Sequence, residues 1–158
     1  MSIIQQTGNF EKEFEYLILP TIQFMTNCKY PSGNYKSSLE SDTDKLVQFC
    51  HGSAGVQFMF NLAYKVYLYF KIMQSLFKKK FKTKKITKNN IYLEEAINCG
   101  EITWIRGLLR KGYGLCHGVA GNGYTLLDLF KTTNDPKWLH RSYMVSYKRS
   151  HIMCYLIT

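Results

Sequence analysis

No GxxxxGK[ST] phosphate loop, no GxGxxG fingerprint and no serine-triad pattern occur in the 158 residues, so the sequence offers no basis for nucleotide-dependent or serine-nucleophile chemistry. A long unbroken apolar run is missing too. The most apolar stretch, Val56 to Met73, is interrupted by Asn61, Lys65 and Lys71 and reads as a buried or amphipathic helix rather than a membrane span. The opening MSIIQQTGNFEKEFEYLILP places acids ahead of its short apolar run, unlike a secretory leader. The cysteines are five, an odd number, and no CxxC pair occurs among them; the expectation is a reducing, cytoplasmic compartment. Acids are scarce, 11 against 21 lysines and arginines, and the net charge of +10 resembles a nucleic-acid signal until it is located. Seven lysines lie between Phe77 and Asn89, and without them the balance falls to +3. The basicity belongs to one stretch, Lys78 to Lys88, expected to be a solvated connection; contact with an anionic membrane surface is the alternative, and no nucleic acid is expected.

What is present is apolar residues at helical spacing. A hydrophobic content of 46% and 15% aromatics over this length argue for a packed core. Phe10, Phe14, Leu17, Ile18 and Ile22 fall on one face of a helix that Pro20 is expected to kink. Residues 28 to 44 collect Pro31, Gly33, Asn34 and four serines without periodicity and form a loop. After Gly52, Ser53 is the expected N-cap of a mostly buried helix carrying Val56, Phe60, Ala63, Tyr67 and Phe70. Ile91 to Leu109 reads as the next helix, with Glu94 and Glu95 in its first turns favouring the dipole. A turn-rich passage, Lys111 to Leu115, precedes a helix through Tyr124 to Phe130, and Pro136 suits the first turn of a last one. Trp104 and Trp138 are expected to pack in the core, and Cys28, Cys99 and Cys154 to stay free thiols.

Within this pattern one hexapeptide recurs. Cys50-His51-Gly52-Ser53-Ala54-Gly55 and Cys116-His117-Gly118-Val119-Ala120-Gly121 share the form CHGxAG in a chain with four histidines. Each copy opens a helix, so the chain divides into a leading helix and irregular loop, residues 1–45, and two helical-hairpin repeats, residues 46–158. Thiolate and imidazole suit zinc, and catalytic zinc commonly has three protein ligands and one open position. Cys50, Cys116 and His117 make a Cys2His set, with His51 the spare member. The competing reading packs each cysteine as a small buried hydrophobe and satisfies each histidine locally.

Four blocks carry a resemblance to a known family: PSGNY (31–35), FCHGSAGV (49–56), AYKVY (63–67) and RGLLRKGYGLCHGVAGNGY (106–124). They resemble the LanC-like proteins, the eukaryotic relatives of bacterial lanthionine cyclases, from about Pro31 to Tyr143, fading beyond Met144. The resemblance implies an all-α fold, a segment of an (α/α) toroid built from repeated helix hairpins with glycine-rich CHGxAG turns. It places the metal ligands on Cys50, Cys116 and His117, and a glutathione contact on Lys111. His51 is implied to line the cavity or orient a ligand rather than bind metal. The implied chemistry is addition of a thiol, glutathione or a peptide cysteine, to a dehydroamino acid in a peptide or protein. A non-catalytic zinc- or glutathione-binding module, or an interaction fragment peripheral at the plasma membrane, is the alternative. Full-length members carry seven glycine-motif units, and the two here resemble the fifth and sixth, as a part of a longer protein would.

Overall fold

The computed structural model describes residues 13–77 and 89–155, and among these the secondary structure is helical apart from two isolated β-bridges. A π-helical turn, Phe14–Ile18, leads into α1, Leu19–Thr26. Then come α2 (Ser53–Phe77), α3 (Asn89–Arg106), α4 (Val119–Thr133) and α5 (Pro136–Tyr155). The lysine run, the first part of the Phe10 helix and Cys154's side chain lie outside the described residues.

Pro20 does not kink an α-helix; it sits in the first turn of α1, just after the π-helical turn closed by the Leu19 N–H on the Phe14 carbonyl. A proline ring would strike the carbonyl four residues back in a regular helix, and the wider turn relieves that conflict. The helix start at Ser53 also differs from the expectation. Ser53 is itself capped: its N–H (2.9 Å) and Oγ (2.8 Å) both donate to Oδ1 of Asn34, 19 residues upstream. Glu94 and Glu95 fall beyond the first turn of α3, because that helix already begins at Asn89. Glu95 instead accepts from Lys29 Nζ at 2.7 Å and Tyr35 Oη at 3.0 Å, tying the loop to α3. The helix ends at Arg106, short of Leu109.

The core lies where α2 meets α3 and α4, and where α4 meets α5. Phe60 and Ala63 of α2, Ala96 and Cys99 of α3, Leu126 and Leu129 of α4, and Trp138 and Val145 of α5 form one buried cluster. Burying one such large apolar side chain stabilises the fold by about 1.5–3 kcal/mol, several times the spread in helix propensity, so packing fixes these helices. The α2 helix is less buried than its composition implies: Leu62, Tyr69 and Ile72 are exposed. Three of its polar residues, Gln57, Asn61 and Lys65, face α4. Gln57 Nε2 donates to the Thr125 carbonyl, Asn61 Nδ2 to Asp128 Oδ2 at 2.6 Å, and Lys65 pairs with Asp128 at 2.8 Å. Steps of four residues put this ladder on one side of α2. No described helix is long and apolar enough to cross a membrane.

Trp138 is buried, and Trp104 packs partly buried against the same cluster. Arg141 lies over both indoles, 4.9 Å from the Trp138 ring centroid and 5.3 Å from that of Trp104, and reaches Glu101 at 2.7 Å, linking α5 to α3. Cys28 and Cys99 are free, as expected.

Candidate metal centre

Both CHGxAG copies sit at helix entrances, α2 and α4, and a shared steric feature explains their last glycine. A Cβ on Gly55 would collide with the carbonyl oxygen of Phe49, and one on Gly121 with that of Leu115, each six residues back. The chain therefore folds back on its helix at one place in each motif. The copies are not identical at their first glycine: Gly52 has φ +80°, whereas Gly118 is extended at φ −109°.

The turn carrying Cys50 is held from several sides. Gln48 and His51 exchange backbone hydrogen bonds at 2.8 and 3.1 Å, closing a tight loop around Phe49 and Cys50. Two fully buried asparagines grip the approach: Asn34 Nδ2 donates to the Leu46 carbonyl at 3.0 Å, and Asn122 Nδ2 to the Val47 carbonyl at 2.9 Å and the Gly107 carbonyl at 2.8 Å. The Cys50 N–H donates to the Cys116 carbonyl at 3.3 Å, so the two motifs meet through their backbones. The second turn closes through Gly118 N–H to the Gly114 carbonyl (2.9 Å) and Val119 N–H to the Gly112 carbonyl (3.1 Å).

This arrangement brings Cys50, Cys116 and His117 together, their ligand atoms all within 4.8 Å of one another and all three residues exposed. Cys50 Sγ lies 3.1 Å from His117 Nδ1. In a tetrahedral zinc site, bonds of about 2.3 Å to sulfur and 2.0–2.1 Å to nitrogen place ligand atoms about 3.5–3.8 Å apart. The donor set suits zinc, and its ligand atoms lie within about 1 Å of that spacing. Among the described residues this is the one cluster of histidine, cysteine and carboxylate side chains with such proximity. Partial burial pushes the Cys50 thiol up, with the hydrogen bond and charge of Cys116 acting in the same direction; the Lys111 ammonium opposes them.

His51 is not in the cluster; its Nδ1 lies 3.4 Å from the Ser37 carbonyl. Lys111 is exposed and close enough for its charge to act on Cys50. The buried amides of Asn34 and Asn122 were not legible as part of the site. Asn34 falls in the PSGNY block, yet nothing in a linear pattern says that its amide spans Leu46 and Ser53.

The lanthionine synthetase C-like protein family model matches residues 1–152, extending on both sides of the 31–143 range read from motifs. A zebrafish (Danio rerio) relative named glutathione S-transferase LANCL1 is 44% identical over 128 residues, 81% of this chain and 27% of its own length. LanC-like protein GCL1 of Arabidopsis thaliana is 33% identical over 123 residues, 77% of this chain and 24% of its own. The chain thus spans about a quarter of the length of these curated relatives. A repeated CHGxAG turn at the head of two packed helices, found within a match of this extent, has one origin: the chain belongs to the lanthionine synthetase C-like family.

Proposed function

We propose that this chain carries the metal-holding and thiol-positioning part of an enzyme that adds glutathione to dehydroamino acids in peptides or proteins. The convergence of Cys50, Cys116 and His117 from two sequence-distant turns carries the reading. These three side chains would hold zinc. When bound, zinc lowers the pKa of a thiol at its open position, making the thiol nucleophilic at neutral pH. Lys111 supplies a cation for a carboxylate of glutathione, through a charge-assisted hydrogen bond. His51 lines the approach on the Ser37 side.

The reaction forms a bond from the thiol sulfur to the β-carbon of dehydroalanine or dehydrobutyrine; the alkene pair moves toward the carbonyl, and a proton is then delivered to the α-carbon. The ligands and Lys111 account for holding and orienting the thiol. Proton delivery is assigned to none of them, and the relatives are about four times as long as the matched part. We therefore place this chain as an arc of a helical ring, the α2 and α4 motif ends lying on one site.

The alternative is a module that binds zinc or glutathione without turnover, or that docks on an anionic membrane surface through Lys78 to Lys88. Purified protein assayed for bound zinc and for glutathione addition to a dehydroalanine peptide separates the readings. Zinc with addition supports the enzyme, zinc without addition the module, and no zinc with wild-type ligands removes the enzyme and the zinc-binding module. Binding to phosphatidylserine vesicles that weakens with salt would support the membrane role, and its absence would end that role.

A further inference from the structure

On the Cys50 side of the candidate metal centre lies a cavity of about 400 Å³ whose lining includes Cys50 but neither Cys116 nor His117. Its walls come from four separate segments: Met25 at the end of α1, Lys36 and Ser37 of the following loop, Phe49 from the CHG turn, and Val56, Phe58 and Met59 from the first turns of α2. Phe49 and Phe58 meet edge to face, ring centroids 5.5 Å apart, giving the cavity an aromatic wall. Two thioethers form much of the remainder, and methionine reshapes itself around differing apolar partners. Cys50 and His51 also line it, and Cys50 belongs to the candidate metal centre as well. Lys36 is the lining residue with a permanent charge, its ammonium 5.9 Å from the Tyr30 ring centroid.

We propose that this cavity is the acceptor subsite: it takes the apolar side chain of a polypeptide residue neighbouring the dehydroamino acid, with an acidic residue beyond it reaching Lys36. The assignment rests on the thiol-addition reading for what happens at Cys50's sulfur, but on the cavity alone for what is bound. Continuity selects the acceptor. A molecule whose β-carbon meets a thiol held beside Cys50 brings its flanking residues within one or two side-chain lengths, and this cavity begins at Cys50. Polarity argues against glutathione as the occupant. Glutathione carries two carboxylates and an ammonium on a short polar backbone, and most of this lining, Phe49, Phe58, Met25, Val56 and Met59, offers those groups no hydrogen-bond partner. A leucine or phenylalanine side chain loses nothing there and removes its apolar surface from water.

The test uses fluorescent dehydroalanine peptides without added thiol, so that binding is read rather than turnover, with zinc content measured on the same samples. Peptides with Leu or Phe next to the dehydroalanine should bind about tenfold or more tightly than those with Ser, the change expected for burying one large apolar side chain. Met25→Glu should abolish that preference while zinc content stays at the wild-type level. Lys36→Glu, at the rim, should turn a preference for Asp over Lys at the following position into its reverse. Equal affinity for Leu, Phe and Ser peptides, or a preference that survives Met25→Glu in a folded protein, would overturn the subsite. Loss of zinc binding with the peptide preference intact would refute the thiol-addition reading and uphold the cavity.

Discussion

Among the described residues, Cys50 and Cys116 are exposed at the meeting of two turns, Cys28 is half-buried beside α1, and Cys99 is buried in the core. Burial pushes the Cys99 thiol up to about 12, with Glu95 adding in the same direction, so it is protonated and shielded at neutral pH. Brief iodoacetamide treatment at pH 7.5 should therefore alkylate Cys50 and Cys116 in metal-free protein and spare Cys99 until denaturant is added, as mass mapping will show. Zinc should protect the first two and leave the rest unchanged. A second prediction concerns Asp44. Hydrogen bonds from Arg106, which reaches both carboxylate oxygens at 2.9 Å, and from Ser32 and Asn34 hold its carboxyl well below the usual carboxylate range. A depressed acid contributes stability that is complete above the unfolded value, about pH 4, and declines as the pH falls further. Asp44→Asn should destabilise the protein by about 1–2 kcal/mol at pH 7, and its denaturation midpoint should approach that of the parent as the pH is lowered toward 2.

At the scale of elements, the repeated turn is a steric device as much as a chemical one. The hexapeptide identified two helix entrances and their candidate ligands; it did not say that Gly55 and Gly121 are needed because a carbonyl six residues back occupies the place of a Cβ. Gly121→Ala, whose methyl would also approach Phe49 Cβ within 2.7 Å, should cost about 1–3 kcal/mol in urea denaturation, and more if the Leu115 carbonyl cannot move. Because Phe49 precedes Cys50, the same variant should weaken zinc binding; wild-type affinity in a folded Gly121→Ala protein would show the two motifs to be mechanically independent. The sequence also misplaced two helix-start devices. Ser53 had the right residue type for an N-cap, yet the acceptor comes from Asn34, because a loop 19 residues away returns to this end of α2. Glu94 and Glu95 looked like dipole partners only while the helix start was set too late. Asn61 and Lys65 were read correctly as incompatible with a membrane span, and the packing gives their positive role, the ladder to Asp128.

For the molecule as a whole, the candidate metal centre lies where α2 and α4 begin, ends already bridged by one backbone hydrogen bond, Cys50 to Cys116. Zinc binding should raise the thermal midpoint, with about 2.7 kcal/mol of added stability when free zinc is a hundredfold above its dissociation constant. A chelator should reverse this, and His117→Ala should respond to neither; an unshifted midpoint in wild-type protein would mean that no site forms. The sequence by itself determined the helical class, through apolar spacing near 3.6 residues, and it marked the three candidate ligands that the fold brings together, since a repeated hexapeptide in so few histidines and cysteines is legible without coordinates. Only the tertiary structure decided that Cys50 lies beside His117, 67 residues away, while its immediate neighbour His51 turns toward Ser37. Adjacency along a chain leaves side-chain direction open. Here the direction is set by a tight turn, a left-handed glycine and two buried amides, whose partners all come from distant parts of the sequence.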